Sequence, residues 1–229
     1  MKVKTYIQTT IHSLLYFIIS AFLFSSNATA YKKGDVIVRA GAATVAPSVS
    51  SSNVTLGGSE LADTGVDVEN DTQLGLIATY MLNNQLGLSL LASTPFAHDI
   101  SGENIGIDNV GTADQLPPTL TIDYFPANPS SVWQPHFGIG LNYTIFFSED
   151  TAQELDNALG NSSLDLTNSL GLALKVGLDY KITDHFGINA SIFWIDIDTD
   201  ATIQSSAGTV EVDVDIDPIV YLLSATYRF

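Results

Sequence analysis

The chain has 229 residues, 45% hydrophobic and 14% charged, with 8 basic against 25 acidic residues and a net charge of −17. That balance excludes a nucleic-acid partner, which needs clustered Lys and Arg against phosphate, and a surface that docks on anionic headgroups. With no cysteine in the chain, a disulfide framework and thiolate chemistry are excluded as well.

Residues 1–30 read as a cleaved signal peptide. Lys2 and Lys4 form its charged start, and Ala28-Thr29-Ala30 is a small-residue cleavage site. The apolar core, Leu14 to Phe24, spans about 11 residues, short of the ~20 a spanning helix needs. Cleavage leaves residues 31–229 as one domain, with six basic residues left after Lys2 and Lys4. No later stretch is long and apolar enough for a membrane helix, so a membrane-embedded mature chain must cross as a closed barrel of strands.

The mature chain alternates with a period of two, which places successive side chains on opposite faces of a strand. Strand one, about Asp35 to Val45, has Val36, Val38, Ala40 and Ala42 on one face and Ile37, Arg39, Gly41 and Ala43 on the other. A Ser/Gly/Asp-rich loop, long for a hairpin connection, runs from Pro47 to Asp71. Asp71 to Phe96 is a hairpin turning at Asn83-Asn84-Gln85, where Asn tolerates positive φ. Leu74, Leu76, Ala78, Tyr80, Leu86, Leu88 and Leu90 share its apolar face, while Ile77, Met81, Ser89, Leu91 and Ser93 lie opposite. Pro95 closes the regular part, and His98 to Asp114 is a polar loop.

Strand four, Leu116 to Phe125, opens on Pro117-Pro118 and turns at Ala127–Ser130 into strand five, Trp133 to Phe147. Phe137, Ile139, Leu141, Tyr143 and Ile145 form strand five's apolar face, against His136, Gly138, Gly140, Asn142 and Thr144. Glu149 to Leu159 is the one helix expected, with Ser148 as N-cap and Gly160 past its end. Strand six, Leu164 to Tyr180, sets Leu170, Leu172, Leu174, Val176 and Leu178 against Gly171, Ala173, Lys175, Gly177 and Asp179. Thr183-Asp184 turns into strand seven, where Phe186, Ile188, Ile192 and Trp194 oppose Gly187, Asn189, Ser191 and Phe193. A polar loop through Ala207-Gly208 leads to strand eight, Asp217 to Phe229, which ends on Tyr227-Arg228-Phe229.

Long connections follow strands one, three and five, a medium one follows seven, and short ones follow two, four and six. This predicts an all-β fold: an eight-stranded antiparallel up-and-down transmembrane β-barrel with short periplasmic turns and long extracellular loops. Tyr80, Tyr124, Trp133, Tyr180, Phe186 and Tyr227 near the short-turn ends suit an interfacial girdle. A terminal strand edge is an aggregation hazard unless paired. Phe229 and Tyr227 are therefore candidate assembly signals, with a barrel-assembly machinery as partner.

Several stretches resemble the OmpW family of small outer-membrane barrels. They are V-R-A-G-A-A-T-V-A-P at 38–47, N-D-T-Q-L-G-L at 70–76, L-L-A-S-T-P-F at 90–96 and L-P-P-T-L at 116–120. G-I-G-L-N-Y-T-I-F-F at 138–147, G-L-D-Y at 177–180, W-I-D-I-D-T at 194–199 and the closing Y-R-F complete them in order. The resemblance implies an eight-stranded barrel with a narrow, largely hydrophobic lumen, passing small hydrophobic molecules across or into the outer membrane of a Gram-negative bacterium. Outer-membrane lipid, lipopolysaccharide and small hydrophobic solutes are then the expected partners. A structural, adhesive or surface-receptor barrel without transport is the alternative.

The chemistry-bearing residues favour no enzyme. His98, His136 and His185 fall on a loop, an inward face and a turn, without metal-ligand spacing. Ser93 with His98 is the one pair that suggests a nucleophile and base. The acidic run Glu211, Asp213, Asp215 and Asp217 offers carboxylate oxygens to Ca²⁺ or forms a solvated rim. No cofactor is expected. Eight strands leave a bore that side chains nearly fill, and Leu91, Phe193, Ile77 and Met81 interrupt a polar lining as a candidate constriction. Pro95, Pro117 and Pro118 lack the N–H a ladder needs and flank one loop, so they either form a candidate lateral opening or only end two strands and stiffen the loop.

Overall fold

The computed structural model describes residues 31–128 and 131–229. The signal peptide and Pro129-Ser130 of the expected turn lie outside them. β1 (Val36–Ala46) is followed by four short strands, β2 (Ser50–Ser51), β3 (Thr55–Leu56), β4 (Ser59–Glu60) and β5 (Gly65–Val68). Then come β6 (Asp71–Met81), β7 (Leu86–Ser93), β8 (Phe96–Glu103), β9 (Gly111–Leu116), β10 (Thr119–Tyr124) and β11 (Trp133–Thr151). Helix α1 (Gln153–Leu159) precedes β12 (Ser162–Leu166), β13 (Ser169–Lys181), β14 (Phe186–Ile195), β15 (Asp198–Ser205), β16 (Gly208–Asp215) and β17 (Ile219–Arg228).

Eight strands form the wall in the order β10-β7-β6-β1-β17-β14-β13-β11, and β11 pairs back onto β10. Every pairing in that ring is antiparallel, so the expected barrel is closed. Its polarity is inverted relative to a soluble fold. Leu170 and Leu223 on the outer face are 69% and 67% exposed, whereas Arg39 and Asp179 on the inner face are 0% and 1% exposed. Hydrocarbon covers the outer face, and the narrow bore is filled by the inner one. At the short-turn end Trp133 packs on Tyr180 with centroids 4.5 Å apart, and Phe186 and Phe229 pack on Tyr227 at 4.9 and 4.6 Å.

Above the wall the structure departs from the expected loops. The stretch after β1 carries β2 to β5, and residues 98–114 lie mostly in the β8–β9 hairpin. The connection after β14 is the β15–β16 hairpin, with Asp200 opposite Asp213 and Ala201 opposite Val212. Alternation explains these strands. Val210, Val212 and Val214 point inward while Glu211, Asp213 and Asp215 are exposed, the pattern of a half-buried strand. β9, β8 and β5 continue the wall sheet from the upper part of β11, and β12, β15, β16, β3 and β4 form a second sheet.

The helix is shorter than expected, because β11 runs on to Thr151. Its N-cap is Ala152 without a side-chain cap, and Ser148 instead sits inside the strand at φ 53. Gly160 closes the helix at φ 80, where a missing Cβ avoids strain. Expected strand six is two strands, since β12 pairs with β15 while β13 joins the wall. Asn168 lies between them and accepts a hydrogen bond from the Phe146 N–H at 3.0 Å.

Glycines permit the tightest approaches within the wall. A Cβ on Gly140 would fall on the Leu120 carbonyl oxygen and within 2.7 Å of the Thr121 Cα, both backbone atoms of β10. A Cβ on Gly41 would likewise fall on the Leu223 carbonyl. Backbone in a paired ladder cannot yield without losing its hydrogen bonds. Gly140→Val should therefore lower the fraction of protein that assembles as a heat-modifiable barrel. Assembly at the wild-type level would show that β10 and β11 can separate at this point.

Candidate functional site

The bore and the strands above it form four levels. Outermost is a cavity of about 320 Å³ among Val54, Leu61, Ile107, Leu155 and Val210. A second, of about 60 Å³, lies nearer the wall among Val68, His98, Gln115, Phe146, Val214 and Ile216. Val66, Val110, Ile203 and Val212 line both. Below them the bore narrows to an apolar neck of Ile77, Leu91, Phe96, Phe193, Ile195 and Leu222, all 5% exposed or less. Leu91 and Phe193 come from β7 and β14, which stand on opposite sides of the ring.

The third level is polar. Arg39 grips Asp179 with two hydrogen bonds, Nε to Oδ1 at 2.9 Å and Nη2 to Oδ2 at 2.7 Å. Its Nη1 donates to Thr79 at 2.8 Å; the Thr79 and Ser89 hydroxyls are 2.7 Å apart, and Ser89 donates to Asp123 at 2.6 Å. Lys175 Nζ meets the same Asp123 oxygen at 2.6 Å, and Thr121 donates to the other at 2.7 Å. Tyr31 and Asn189 both donate to Asp179 at 2.8 Å. A cation at one end and a carboxylate at the other polarise the hydroxyls between them, so the chain strengthens cooperatively. His136 belongs to this level, its Nε2 3.2 Å from the Asn189 amide. Beneath it, Met81 packs with Tyr31, Ile37 and Phe125 in a separate apolar cluster.

The four expected constriction residues thus all point inward but do not meet. Ile77, Leu91 and Phe193 share the neck, and Met81 lies on the other side of the Arg39–Thr79 contact. The three prolines do come together. The ladder between β7 and β10 ends at Leu91 opposite Thr119 and resumes between β8 and β9 at Phe96 opposite Gln115. Residues 92–95 therefore face residues 116–118 unpaired. Two backbone groups there turn to other neighbours: Thr94 N–H donates to the Leu74 carbonyl at 3.0 Å, and the Pro118 carbonyl accepts from Tyr143 N–H at 3.0 Å, while the Ser93 hydroxyl is buried without a protein partner. Phe229 N–H donates to the Val36 carbonyl at 2.9 Å, which ties the residue after β17 to the start of β1.

The Ser93–His98 pair does not form a nucleophile and base. His98 Nδ1 contacts the Glu69 carbonyl at 2.6 Å and Nε2 the Gln115 amide at 2.8 Å, so neither nitrogen is left for Ser93. His185 Nδ1 contacts the Arg228 carbonyl at 2.8 Å. The acidic run divides: Glu211, Asp213 and Asp215 face outward along β16, while Asp217 joins Asp196 and Asp198, with carboxylate oxygens within 4.8 Å of one another. Partial burial and the neighbouring carboxylates of Asp196, Asp215 and Asp217 raise the pKa of Asp198.

The OmpW family model matches residues 32–229, nearly the whole described chain. The chain belongs to the OmpW family. Outer membrane protein W of Vibrio cholerae is 41% identical over 212 residues, 91% of this chain and 95% of the relative. The crystal structure of the outer membrane protein OprG from Pseudomonas aeruginosa matches with a TM-score of 0.85 at 40% identity, covering 88% of this chain and 99% of that one. AlkL, an outer membrane protein solved by solid-state NMR in lipid bilayers, has the same fold, with a TM-score of 0.67 at 21% identity over 90% of this chain and 95% of its own. This OmpW-family chain is therefore an outer-membrane barrel of a Gram-negative bacterium, and its curated relatives are barrels.

What sequence reading missed in this OmpW-family bore is the connectivity of its charges. Arg39, Lys175 and Asp179 were visible on inner faces, yet the partners lie up to 140 residues apart. The usable signal is that charged residues are rare on inner faces, so two cations and two carboxylates there must pair. Asp179→Ala leaves the Arg39 guanidinium buried without its carboxylate and should cost about 3–5 kcal/mol of barrel stability. The double replacement Arg39→Met with Asp179→Leu should recover most of that. Urea unfolding in lipid vesicles measures both, and equal midpoints for wild type and Asp179→Ala would refute the pairing energetics.

Proposed function

We propose that this barrel admits small hydrophobic molecules from outside the cell and passes them into the outer membrane. One observation carries the reading: the apolar path from the outer cavities through the neck ends on a floor of buried, mutually satisfied charges. An apolar solute gains by leaving water for the cavities. It gains nothing by entering the ionic level, where it would separate paired charges in a low dielectric. Lys175 stands at the boundary, with its ammonium 5.5 Å from the Phe193 ring centroid. A passage straight down is therefore unfavourable, and the solute needs a side exit above the floor.

The unpaired segment at Pro95, Pro117 and Pro118 supplies the exit in this proposal. Prolines there offer no N–H to be left unsatisfied, and the neighbouring Thr94 N–H and Pro118 carbonyl are already held by Leu74 and Tyr143. Widening the gap therefore breaks no hydrogen bond across it. Ile77, Leu91 and Phe193 act as the constriction that selects by size, while Met81, below the floor, closes the periplasmic end. A purely structural barrel would have no need of an apolar path ending beside an unpaired segment.

Two experiments test the proposal. Cysteines replacing Leu90 and Leu120, register partners just below the gap, should form a disulfide that suppresses uptake of an apolar solute until a reductant is added. Undiminished uptake with the crosslink formed refutes the lateral route. Leu91→Ala with Phe193→Ala should speed uptake and admit bulkier solutes, and unchanged rates and size limits would move the constriction elsewhere.

A further inference from the structure

The smaller cavity, the one nearer the gap, has three polar wall residues: His98, Thr199 and Gln115. Two are fully committed. The Thr199 hydroxyl donates to the Thr167 carbonyl at 2.8 Å. His98 Nδ1 lies 2.6 Å from the Glu69 carbonyl, which can only accept, so Nδ1 must carry the proton. In the neutral ring Nε2 is then an acceptor, and the group facing it at 2.8 Å must be the Gln115 NH₂. That fixes the orientation of the amide. Gln115 Oε1 is left on the other side, buried and without a partner. Gln115 is 2% exposed, so its amide is shut off from bulk solvent. A buried acceptor left unsatisfied is costly, and such atoms are rare in folded proteins.

We infer that Gln115 Oε1 is the anchor for a ligand with a small apolar body and one hydrogen-bond donor, such as an alcohol or a phenol. The inference rests on the conduit reading and narrows its substrate class. The rest of the wall excludes a second polar group, because each would lose water without finding a partner. A hydrocarbon fits the walls but leaves Oε1 unsatisfied, and an ether or ketone sets its own oxygen against it. Position adds to the argument. Gln115 is opposite Phe96 and Phe146 in the β8–β9–β11 sheet, two residues before Pro117. A ligand held by its hydroxyl there has its apolar body in the adjoining cavity of about 320 Å³, past the Val66, Val110, Ile203 and Val212 side chains that line both.

The test uses the full barrel in phosphatidylcholine nanodiscs, with empty nanodiscs as the baseline for partitioning. The probes are 2-naphthol, which has a donor, and 2-methoxynaphthalene, which has only an acceptor. Wild type should bind 2-naphthol about 5–10-fold tighter than the ether, the factor expected of one net hydrogen bond. Gln115→Met, which keeps the length and loses the acceptor, should abolish that preference while the ether still binds. His98→Leu releases the amide to turn its NH₂ toward the cavity, so the ether should gain and the preference should shrink. It stands as the second variant if Gln115→Met fails to assemble. Equal affinities in wild type, or a preference that survives Gln115→Met, overturn the anchor and leave the conduit intact. Failure of both probes to bind above the empty-disc baseline overturns the conduit reading and the anchor with it.

Discussion

A backbone N–H or C=O facing hydrocarbon has no water to bind, and each one left unpaired costs several kcal/mol. Closure of the strand ring answers that constraint, and the rest of the molecule follows from it. β11 returns to β10, β17 fits between β1 and β14, and the ring has no free edge at its middle. A closed ring of eight strands leaves a bore too narrow for bulk water. Side chains must fill it, and glycines such as Gly41 and Gly140 set how closely the strands approach. Filling with apolar groups alone would make both faces of each strand alike and leave the register weakly specified. The ionic level breaks that symmetry, because Arg39 is held by Asp179 on one side and Thr79 on the other, and β1 cannot slip against β6 without losing Thr79.

The same pairing divides the bore along its axis. All Lys and Arg residues after residue 30 are Lys32, Lys33, Arg39, Lys175, Lys181 and Arg228. They lie in the ionic level or at the short-turn end. The strands above the wall carry acids and no cations, so they are soluble through their outer faces and held together by what lies beneath. Val210, Val212 and Val214 pack under Glu211, Asp213 and Asp215, and mutual repulsion among the acids works against burial of the valines. The cavities sit where that packing is least complete, between sheets that share no ladder. An apolar void under an acidic rim and above an ionic floor is the predictable outcome of confining the cations to one end.

Legibility in the sequence follows the same division. The wall strands were readable because lipid demands an uninterrupted apolar face, as in Leu170, Leu172 and Leu174, and because the inner face alternates with Gly, Ser and Asn. The strands above were not, since V-E-V-D-V-D looks like a solvated acidic loop to an eye tuned for bilayer strands, and F-A-H-D-I hides its period behind one histidine. Local signals placed a cap at Ser148, whereas continuation of β11 against β9 overrode them. The candidate constriction was legible as inward alternation but not as depth. Two residues along β6 separate Ile77 from Thr79 and two more reach Met81, so an ionic contact falls between residues that alternation makes equivalent. His98 read as a loop residue because its partners, Glu69 and Gln115, lie 29 and 17 residues away.

The prolines mark where the closing constraint is relaxed, and where they stand matters more than that they are present. A break lower in the ring would expose backbone at the ionic level and turn Arg39 and Asp123 toward hydrocarbon. A break higher, between β8 and β9, would open only onto solvent. At Pro95 and Pro117-Pro118 the interruption lies one register step above Leu91 and Thr119, level with the top of the neck. The Thr94 N–H and the Pro118 carbonyl beside it are held by β6 and β11, so each lip of the gap is supported from behind by a neighbouring strand. Such a break costs little while closed and asks for no new hydrogen bonds when it widens. In the proposed conduit, the constraint that forbids open edges in a bilayer thus places the side passage between strands already paired to other neighbours, at the height where the apolar path stops.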